Sequence, residues 1–244
     1  MEFDLKKRTI QGIGPRKKMQ DAGCIGSSDN REFSWLIVCD GIGGHKGGKE
    51  AADITTEMLN DYLRKTLTNE QQLNDLNFLN EGLRHVNDKF SDTISKDYTL
   101  HLMGCTLCMV VFSRMICYVF WSGDSRFYLF RDGVCKLDIF PHNWSFDLYR
   151  KGVLSLEEAR ISETSYLTGS VNNFSTGIRL DCEVIKLVKK DRILVCTDGI
   201  WGLFEHLHLI QIMTEQSLDK TEIFLHQHLK KYANDNYFGF VVDI

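Results

Sequence analysis

The order of strand-like and helix-like segments most restricts the fold of this chain. Apolar runs typical of strands occur in adjacent groups, and apolar stripes at helical spacing occur in adjacent pairs. The predicted strands cover residues 34–39, 104–112, 115–121, 127–130, 182–188, 192–196 and 237–244. The predicted helices cover residues 51–63, 76–94, 156–160, 203–216 and 219–233. Grouped strands and paired helices favour an α+β fold with antiparallel sheets over an alternating βαβ sheet.

Length and composition predict a single folded unit. A chain of 244 residues with 43% apolar residues can bury a sizeable core without covalent cross-links. Its only prolines are Pro15 and Pro141, so no proline-rich linker divides it. We therefore predict one domain over residues 1–244.

Charge and hydropathy exclude several classes of partner. The chain has 29 Lys and Arg against 33 Asp and Glu, a net charge of -4, whereas nucleic-acid binding usually requires a basic excess. Residues 1–14 lack the apolar core of a signal peptide. The apolar stretch 105–121 is interrupted by Ser113 and Arg114 and is too short to cross a bilayer. We expect a cytoplasmic protein that binds neither nucleic acid nor membrane.

The eight cysteines include one close pair, Cys105 and Cys108. A zinc site is one interpretation of this pair, but no second pair is present. In a strand, positions i and i+3 face opposite sides, which opposes joint coordination. Free thiols in a reducing compartment are the simpler interpretation.

Aspartates follow several predicted strands. Asp40 and Asp198 each end an apolar run and precede glycine, Asp124 follows the strand 115–121, and Asp235 precedes the last strand. One Asp-Gly pair alone indicates only a turn. Several carboxylates at converging strand ends would form an oxygen-rich cluster that suits Mg²⁺ or Mn²⁺, and that would repel itself without a cation.

The loop after Asp40 is rich in glycine, with five glycines in the eight positions 41–48. Glycine lets the backbone approach a ligand closely and expose a carbonyl group to it. The loop has neither the Gly-Lys-Ser/Thr ending of a P-loop nor the G-x-G-x-x-G spacing of a dinucleotide-binding turn.

Six short motifs in chain order carry a resemblance to a known family. They are Arg16-Lys17-Lys18-Met19-Gln20-Asp21-Ala22, Asp40-Gly41-Ile42-Gly43-Gly44-His45, Gly104-Cys105-Thr106, Gly123-Asp124-Ser125-Arg126, Thr197-Asp198-Gly199-Ile200 and Asp235-Asn236. With these motifs the chain resembles the PPM family, the type 2C protein phosphatases, in their bacterial branch. Residues 152–159 resemble the flap of that family, and we name residues 141–175 the flap segment.

The resemblance implies a β-sandwich of two antiparallel sheets flanked by helix pairs on both faces, with metals at one end. It implies a metal-dependent serine/threonine protein phosphatase that uses two, and possibly three, Mn²⁺ or Mg²⁺ ions to activate water for direct attack on phosphorus. The implied partner is a phosphoprotein substrate, opposing a serine/threonine kinase, and the implied state is a monomer.

Individual roles also follow from the resemblance. Asp40 bridges two metals, the Gly41 carbonyl binds one of them, and Asp198 and Asp235 bind the other. Asp124 matches the position of a third, weaker metal site. Arg16 matches the arginine that holds the substrate phosphate, and Asp21 matches the position that orients the metal-bound water. A planar guanidinium suits two-pronged binding of phosphate oxygens.

Some positions depart from the family pattern. Gln20 stands where many eukaryotic members have glutamate, and Ile42 stands where animal members have a histidine proposed as general acid. His45 is the only histidine of that loop, and either protonates the leaving group or merely covers the loop. Residues 167–170 and Phe238 differ from the usual pattern and bear on substrate handling more than on metal binding.

Two other functions stay open at this point. A degenerate phosphatase would bind phosphoproteins without hydrolysing them, although none of the expected aspartates is missing. A hydrolase of small phosphate esters would share the fold and the metals, because a fold does not determine the substrate.

Overall fold

The computed structural model describes residues 5–42, 46–162, 166–173 and 178–244. In that part of the chain twelve strands and eight α-helices form. The strands are β1 (Lys6–Gly12), β2 (Ala22–Ser27), β3 (Phe33–Cys39), β4 (Gly104–Cys105), β5 (Leu107–Ser113), β6 (Ile116–Ser122), β7 (Arg126–Arg131), β8 (Val134–Asp138), β9 (Val171–Asn172), β10 (Asp181–Lys186), β11 (Arg192–Cys196) and β12 (Tyr237–Asp243). The helices are α1 (Gly48–Thr66), α2 (Glu70–Leu73), α3 (Leu76–Lys96), α4 (Trp144–Arg150), α5 (Leu156–Ile161), α6 (Asp198–Trp201), α7 (His206–Thr214) and α8 (Leu218–Tyr232).

Ten of the strands form two five-stranded antiparallel sheets. Sheet I has the order β1-β12-β11-β7-β8, and sheet II has the order β10-β6-β5-β3-β2. The two sheets pack face to face, and their shared core contains Leu36, Val38, Val110, Phe127, Val195 and Phe240. Consecutive residues of β3 alternate between this core and the opposite face of sheet II, so both faces of the strand are buried. Burial on both faces explains why the run 34–39 is continuously apolar.

Helices cover the outer face of each sheet. Amphipathic α1 and α3 pack on sheet II through a cluster that includes Trp35, Leu59, Leu83, Phe90 and Phe120. On the other side, α7 and α8 pack on sheet I through Tyr128, Leu194, Leu209, Leu225 and Val241. The expected four-layer α-β-β-α arrangement is confirmed.

Several boundaries differ from the prediction. The predicted strand 104–112 is interrupted at Thr106, because β4 pairs with β9 whereas β5 pairs with β3. The predicted helix 203–216 is shorter, since Glu205 is extended and α7 begins after it. Strands β1 and β2 were not predicted.

The two close cysteines lie on different sides of sheet II. Cys105 packs in the core beneath α1, whereas Cys108 packs between the sheets. The zinc interpretation of this pair is therefore wrong. All eight cysteines have free thiols.

The flap segment contains α4 and α5 in its described part. A capping box between Ser155 and Glu158 begins α5. Arg179 anchors α4 to the sandwich through Asp147, with nitrogen–oxygen distances of 2.9 and 3.1 Å. Among the described residues, no helix has both the length and the apolar character needed to span a bilayer.

Candidate active site

Carboxylates from both sheets meet at one end of the sandwich. Asp40 follows β3 of sheet II, Asp198 begins α6 directly after β11 of sheet I, and Asp124 lies in the connection between β6 and β7. Burial raises the pKa of the Asp40 carboxyl, and repulsion from Asp21, Asp198 and Asp124 raises it further. The strand-end aspartates that the sequence singled out are therefore electrostatic neighbours.

Thr106 fixes the backbone at Asp40. The Asp40 N–H donates to Thr106 Oγ1 at 2.9 Å, and the Thr106 N–H donates to the Asp40 carbonyl at 2.8 Å. The Thr106 hydroxyl also shares a hydrogen bond of 2.6 Å with the Ser125 hydroxyl, next to Asp124. Thr106, at which the predicted strand is interrupted, thus links the turn that contains Asp40 to the turn that contains Asp124.

Close backbone contact makes glycine necessary at position 41. A Cβ atom there would lie 2.3 Å from the Gly48 carbonyl oxygen and 2.9 Å from that of Gln20. The Gly41 N–H donates to the Gln20 carbonyl at 3.2 Å. Gly41 therefore packs against the segment that carries Asp21.

Thr197 links Asp21 to the last strand. Its hydroxyl donates to Asp21 Oδ2 at 2.8 Å and accepts from the Phe238 N–H at 3.0 Å. Burial raises the pKa of Asp21 to about 7, the Thr197 hydrogen bond opposes the rise, and the charge of Asp198 adds to it. Burial also raises the pKa of Asp198 itself.

Asp235 lies beside Arg16. The distance between Arg16 Nη2 and Asp235 Oδ2 is 2.6 Å, and about half of the Arg16 side chain is exposed. The neighbouring Asn236 accepts a hydrogen bond from the Gln20 N–H and donates one to the Ile13 carbonyl, both at 2.8 Å. Asn236 therefore connects the chain entering β12 with the segments on either side of Arg16.

Trp201 supports the Asp124 turn. Its indole N–H donates to the Asp124 carbonyl at 2.9 Å, and Gly123 adopts a left-handed conformation with φ of 106°. The Arg126 guanidinium lies 3.9 Å from the Trp201 ring centroid and 3.8 Å from Asp138. The buried Arg126 is thus packed between an aromatic ring and a carboxylate.

A comparison with models of protein families identifies the family of this chain. Residues 16–234 match the sequence model described as "Protein phosphatase 2C". The chain belongs to the protein phosphatase 2C family. The family and enzyme class expected from the sequence are confirmed.

Individual relatives agree with this membership. The "Serine/threonine phosphatase stp" of Listeria monocytogenes is 23% identical over 233 residues, covering 94% of this chain and 91% of the relative. The structure of Stp1 from Staphylococcus aureus superposes with a TM-score of 0.86 at 22% identity, covering 98% of this chain and 95% of the other. A catalytic domain of PstP in complex with two manganese ions superposes with a TM-score of 0.78 at 21% identity, covering 98% and 97%.

Seven of the eight predicted site residues of this type 2C chain lie at the carboxylate end. They are Arg16, Asp21, Asp40, Gly41, Asp124, Asp198 and Asp235. The eighth, His45, lies outside the described residues. Sequence reasoning assigned no role to Thr106, Thr197, Asn236 or Trp201, which hold the backbone beside these aspartates. Thr106, Thr197 and Asn236 lie inside the short motifs, the last two next to an aspartate, whereas Trp201 lies one residue after the motif 197–200.

The family is metal-dependent, and the chemistry of these residues fits a divalent cation. Grouped carboxylates whose pKa values are raised by burial and mutual repulsion are stabilised as anions when a hard cation binds. No group of three or more His, Cys, Asp or Glu side chains in the described ranges is already arranged to hold a metal. Asp235 contacts Arg16 instead, so binding would require side chains to turn toward the ion.

Proposed function

We propose that this chain hydrolyses phosphoserine and phosphothreonine of proteins with two divalent cations and no covalent intermediate. The observation that carries the proposal is the meeting of Asp21, Asp40 and Asp198 at one end of the sandwich, with Arg16 beside them. The serine/threonine phosphatases among its relatives support the choice of substrate.

The proposed ligands of the two main cations are Asp40, the Gly41 carbonyl, Asp198 and Asp235, with Asp124 available to a third. When bound, such ions lower the pKa of water and neutralise charge on a phosphoryl group. The two manganese ions of the PstP complex favour Mn²⁺, and Mg²⁺ suits the same oxygen ligands.

Protein side chains supply substrate binding and orientation. Arg16 is half-exposed and already bound to one carboxylate, so its guanidinium can exchange Asp235 for phosphate oxygens. Asp21 is held in place by Thr197 through Oδ2, and we assign it the orientation of the attacking water. His45 remains a candidate for protonating the leaving alkoxide.

The wider assignments are also proposals. We propose a single domain over residues 1–244 with the flap segment at 141–175, a monomer that opposes a serine/threonine kinase, and a cytoplasmic location. Eight free thiols support a reducing compartment.

Phosphate release from a phosphothreonine peptide tests the proposal. Metal-stripped protein is assayed with and without added Mn²⁺, beside p-nitrophenyl phosphate as a small ester. We expect peptide hydrolysis only with metal. Hydrolysis of the ester alone would support a small-ester hydrolase, and no hydrolysis of either by folded, Mn²⁺-treated protein would support a binding module.

A further inference from the structure

His142 lies at the start of the flap segment and has no role among those assigned so far. It stands between strand β8 and helix α4, and its side chain is fully buried. Burial and the charge of Arg179 lower the pKa of His142 to about 4, against the opposing effect of Asp181. The imidazole is therefore neutral at neutral pH, so one of its two nitrogens can accept a hydrogen bond.

The imidazole holds the turn that carries Asp124. The Gly123 N–H donates to His142 Nδ1 at 3.3 Å, and the His142 N–H donates to the Gly123 carbonyl at 2.8 Å. Because Nδ1 accepts, the proton of the neutral ring lies on Nε2. Nε2 faces Asp181 Oδ2 at 3.1 Å, although the angle is not that of a regular hydrogen bond. His142 thus both donates to and accepts from the residue immediately before Asp124.

The backbone at Gly123 depends on such support. A Cβ atom there would lie 2.7 Å from Thr106 Cγ2, and the left-handed conformation of this residue also favours glycine. Glycine has the widest range of backbone conformations, so surrounding hydrogen bonds must select one of them. Without Nδ1 the buried Gly123 N–H would lose this acceptor, which is unfavourable away from water. The neighbouring Asp124 would then no longer be held in one orientation.

The same residue connects the Asp124 turn to the rest of the flap segment. The Thr168 N–H donates to the His142 carbonyl at 2.9 Å, and a Cβ atom at Gly169 would lie 2.6 Å from His142 Nδ1. Residues that follow α5 therefore pack directly against the imidazole. Because the packing leaves no space there, a displacement of residues 168–169 would displace the ring from Gly123. The position of the flap segment and the position of Asp124 are thus coupled.

We propose that His142 is a positioning residue that holds the Asp124 turn in the arrangement needed to bind a cation and couples this turn to the flap segment. The proposal rests on the phosphatase function proposed above, in which Asp124 is available to a third cation. Side chains that orient the ligands of a metal contribute to its affinity, and their loss weakens binding by roughly 10- to 100-fold.

Calorimetric titration of metal-stripped protein with Mn²⁺ tests the proposal. Asp124→Asn first identifies the binding event that involves Asp124. His142→Leu keeps a side chain of similar size but has no acceptor, and it is expected to weaken that event by about 10-fold. His142→Asn, whose Oδ1 can take the place of Nδ1, is expected to stay within about 3-fold of the parent. The reverse order of the two variants would show that packing, and not the hydrogen bond from Gly123, causes the effect, and would overturn the proposal.

A double variant separates positioning from a general structural role. If His142 acts through Asp124, His142→Leu should change Mn²⁺ binding no further in the Asp124→Asn background, because the two residues form one interacting unit. A similar loss in that background, or parent-like binding by His142→Leu alone, would overturn the proposal. Unchanged Mn²⁺ binding in Asp124→Asn alone would overturn it as well, since Asp124 would then hold no cation.

A substitution elsewhere in the flap segment tests the coupling and leaves His142 itself unaltered. Gly169→Ala places a methyl group against the imidazole and should weaken the Asp124 binding event, as His142→Leu does. Gly152→Ala is the matched control, because it lies in the same segment and its added Cβ meets no atom within 4 Å, so it should bind Mn²⁺ like the parent. Equal Mn²⁺ binding by the two glycine variants would overturn the coupling.

Hydrolysis of a phosphothreonine peptide is measured in parallel to keep the two proposals separate. If the parent protein hydrolyses no peptide in the presence of Mn²⁺, the phosphatase function fails. The calorimetric titrations do not depend on turnover, so they decide the role of His142 in either case.

Discussion

Metal-free protein in which Asp21 is replaced by asparagine should be more stable than the parent chain at pH 8. Asp21 is 7% exposed, and its carboxylate repels Asp198 and Asp235. Asparagine has nearly the same shape and can still accept the hydrogen bond that Thr197 donates at 2.8 Å. The substitution therefore removes a buried charge while leaving the packing intact.

The size of the effect follows from the pKa of Asp21, which is about 7 in the fold against an ordinary value of 3.8. At 1.36 kcal/mol per pKa unit, the ionised carboxylate costs the fold up to about 4 kcal/mol. The folded state holds its proton more tightly, so stability is lost as pH rises from about 4 through 7. Below pH 4 the parent and Asp21→Asn should have the same free energy of unfolding, and above pH 7 the variant should be more stable.

Urea unfolding in the presence of EDTA, from pH 4 to 8.5, measures this difference. Comparing the parent with the variant cancels the contribution of titrating groups that do not interact with Asp21, including His142, whose pKa burial lowers to about 4. Asp61→Asn on the exposed face of α1 is the control and should show no such difference. Equal stability of parent and Asp21→Asn at pH 8, or a difference of opposite sign, would refute the electrostatic account of the site.

Two further predictions concern the same end of the sandwich. Asp40→Asn should abolish Mn²⁺-dependent phosphate release while the circular dichroism spectrum stays unchanged, and unchanged turnover would rule out the metal-site assignment. Gly199→Ala should lower the free energy of unfolding by about 3 kcal/mol, because the added Cβ would lie 1.8 Å from the Asn236 carbonyl oxygen. Gly152→Ala meets no atom within 4 Å but has φ of 72°, so it should cost only about 1 kcal/mol in the same urea titration.

Strands could be predicted from the sequence where their burial produces a continuous run of apolar residues. Strand β11 was predicted with its correct ends, because its residues are buried on both faces and charged residues flank it. Strands β1 and β2 were missed for the opposite reason. In β1 only Ile10 is fully buried, and β2 contains Gly23 and Gly26, so neither has an apolar run, and each is an edge strand held by pairing with its neighbour.

The aspartates of the candidate site could be predicted from the sequence, whereas the residues that hold them in place could not. An aspartate that follows an apolar run can be recognised within one short segment of sequence. The role of Thr197, in contrast, depends on its contact with Asp21, which is 176 positions away in sequence and 2.8 Å away in the structure. The same holds for Asn236, which contacts Gln20 across 216 positions. Such contacts depend on the register of the sheets, and local sequence carries no information about them.

The carboxylates come from different sheets, and this explains why cation binding should be coupled to folding. Asp40 follows a strand of sheet II and Asp198 follows a strand of sheet I, so a shared ion would join the open ends of the two sheets. Without it, burial raises both pKa values, repulsion from Asp198 raises that of Asp40 further, and repulsion from Asp235 raises that of Asp198, so the fold bears that cost at neutral pH. A ligand that binds only the folded state offsets such a cost in proportion to the logarithm of its concentration. Mn²⁺ should therefore raise the melting temperature of the parent chain more than that of Asp40→Asn, and the gain should diminish as the pH falls, because protons compete for the same oxygens.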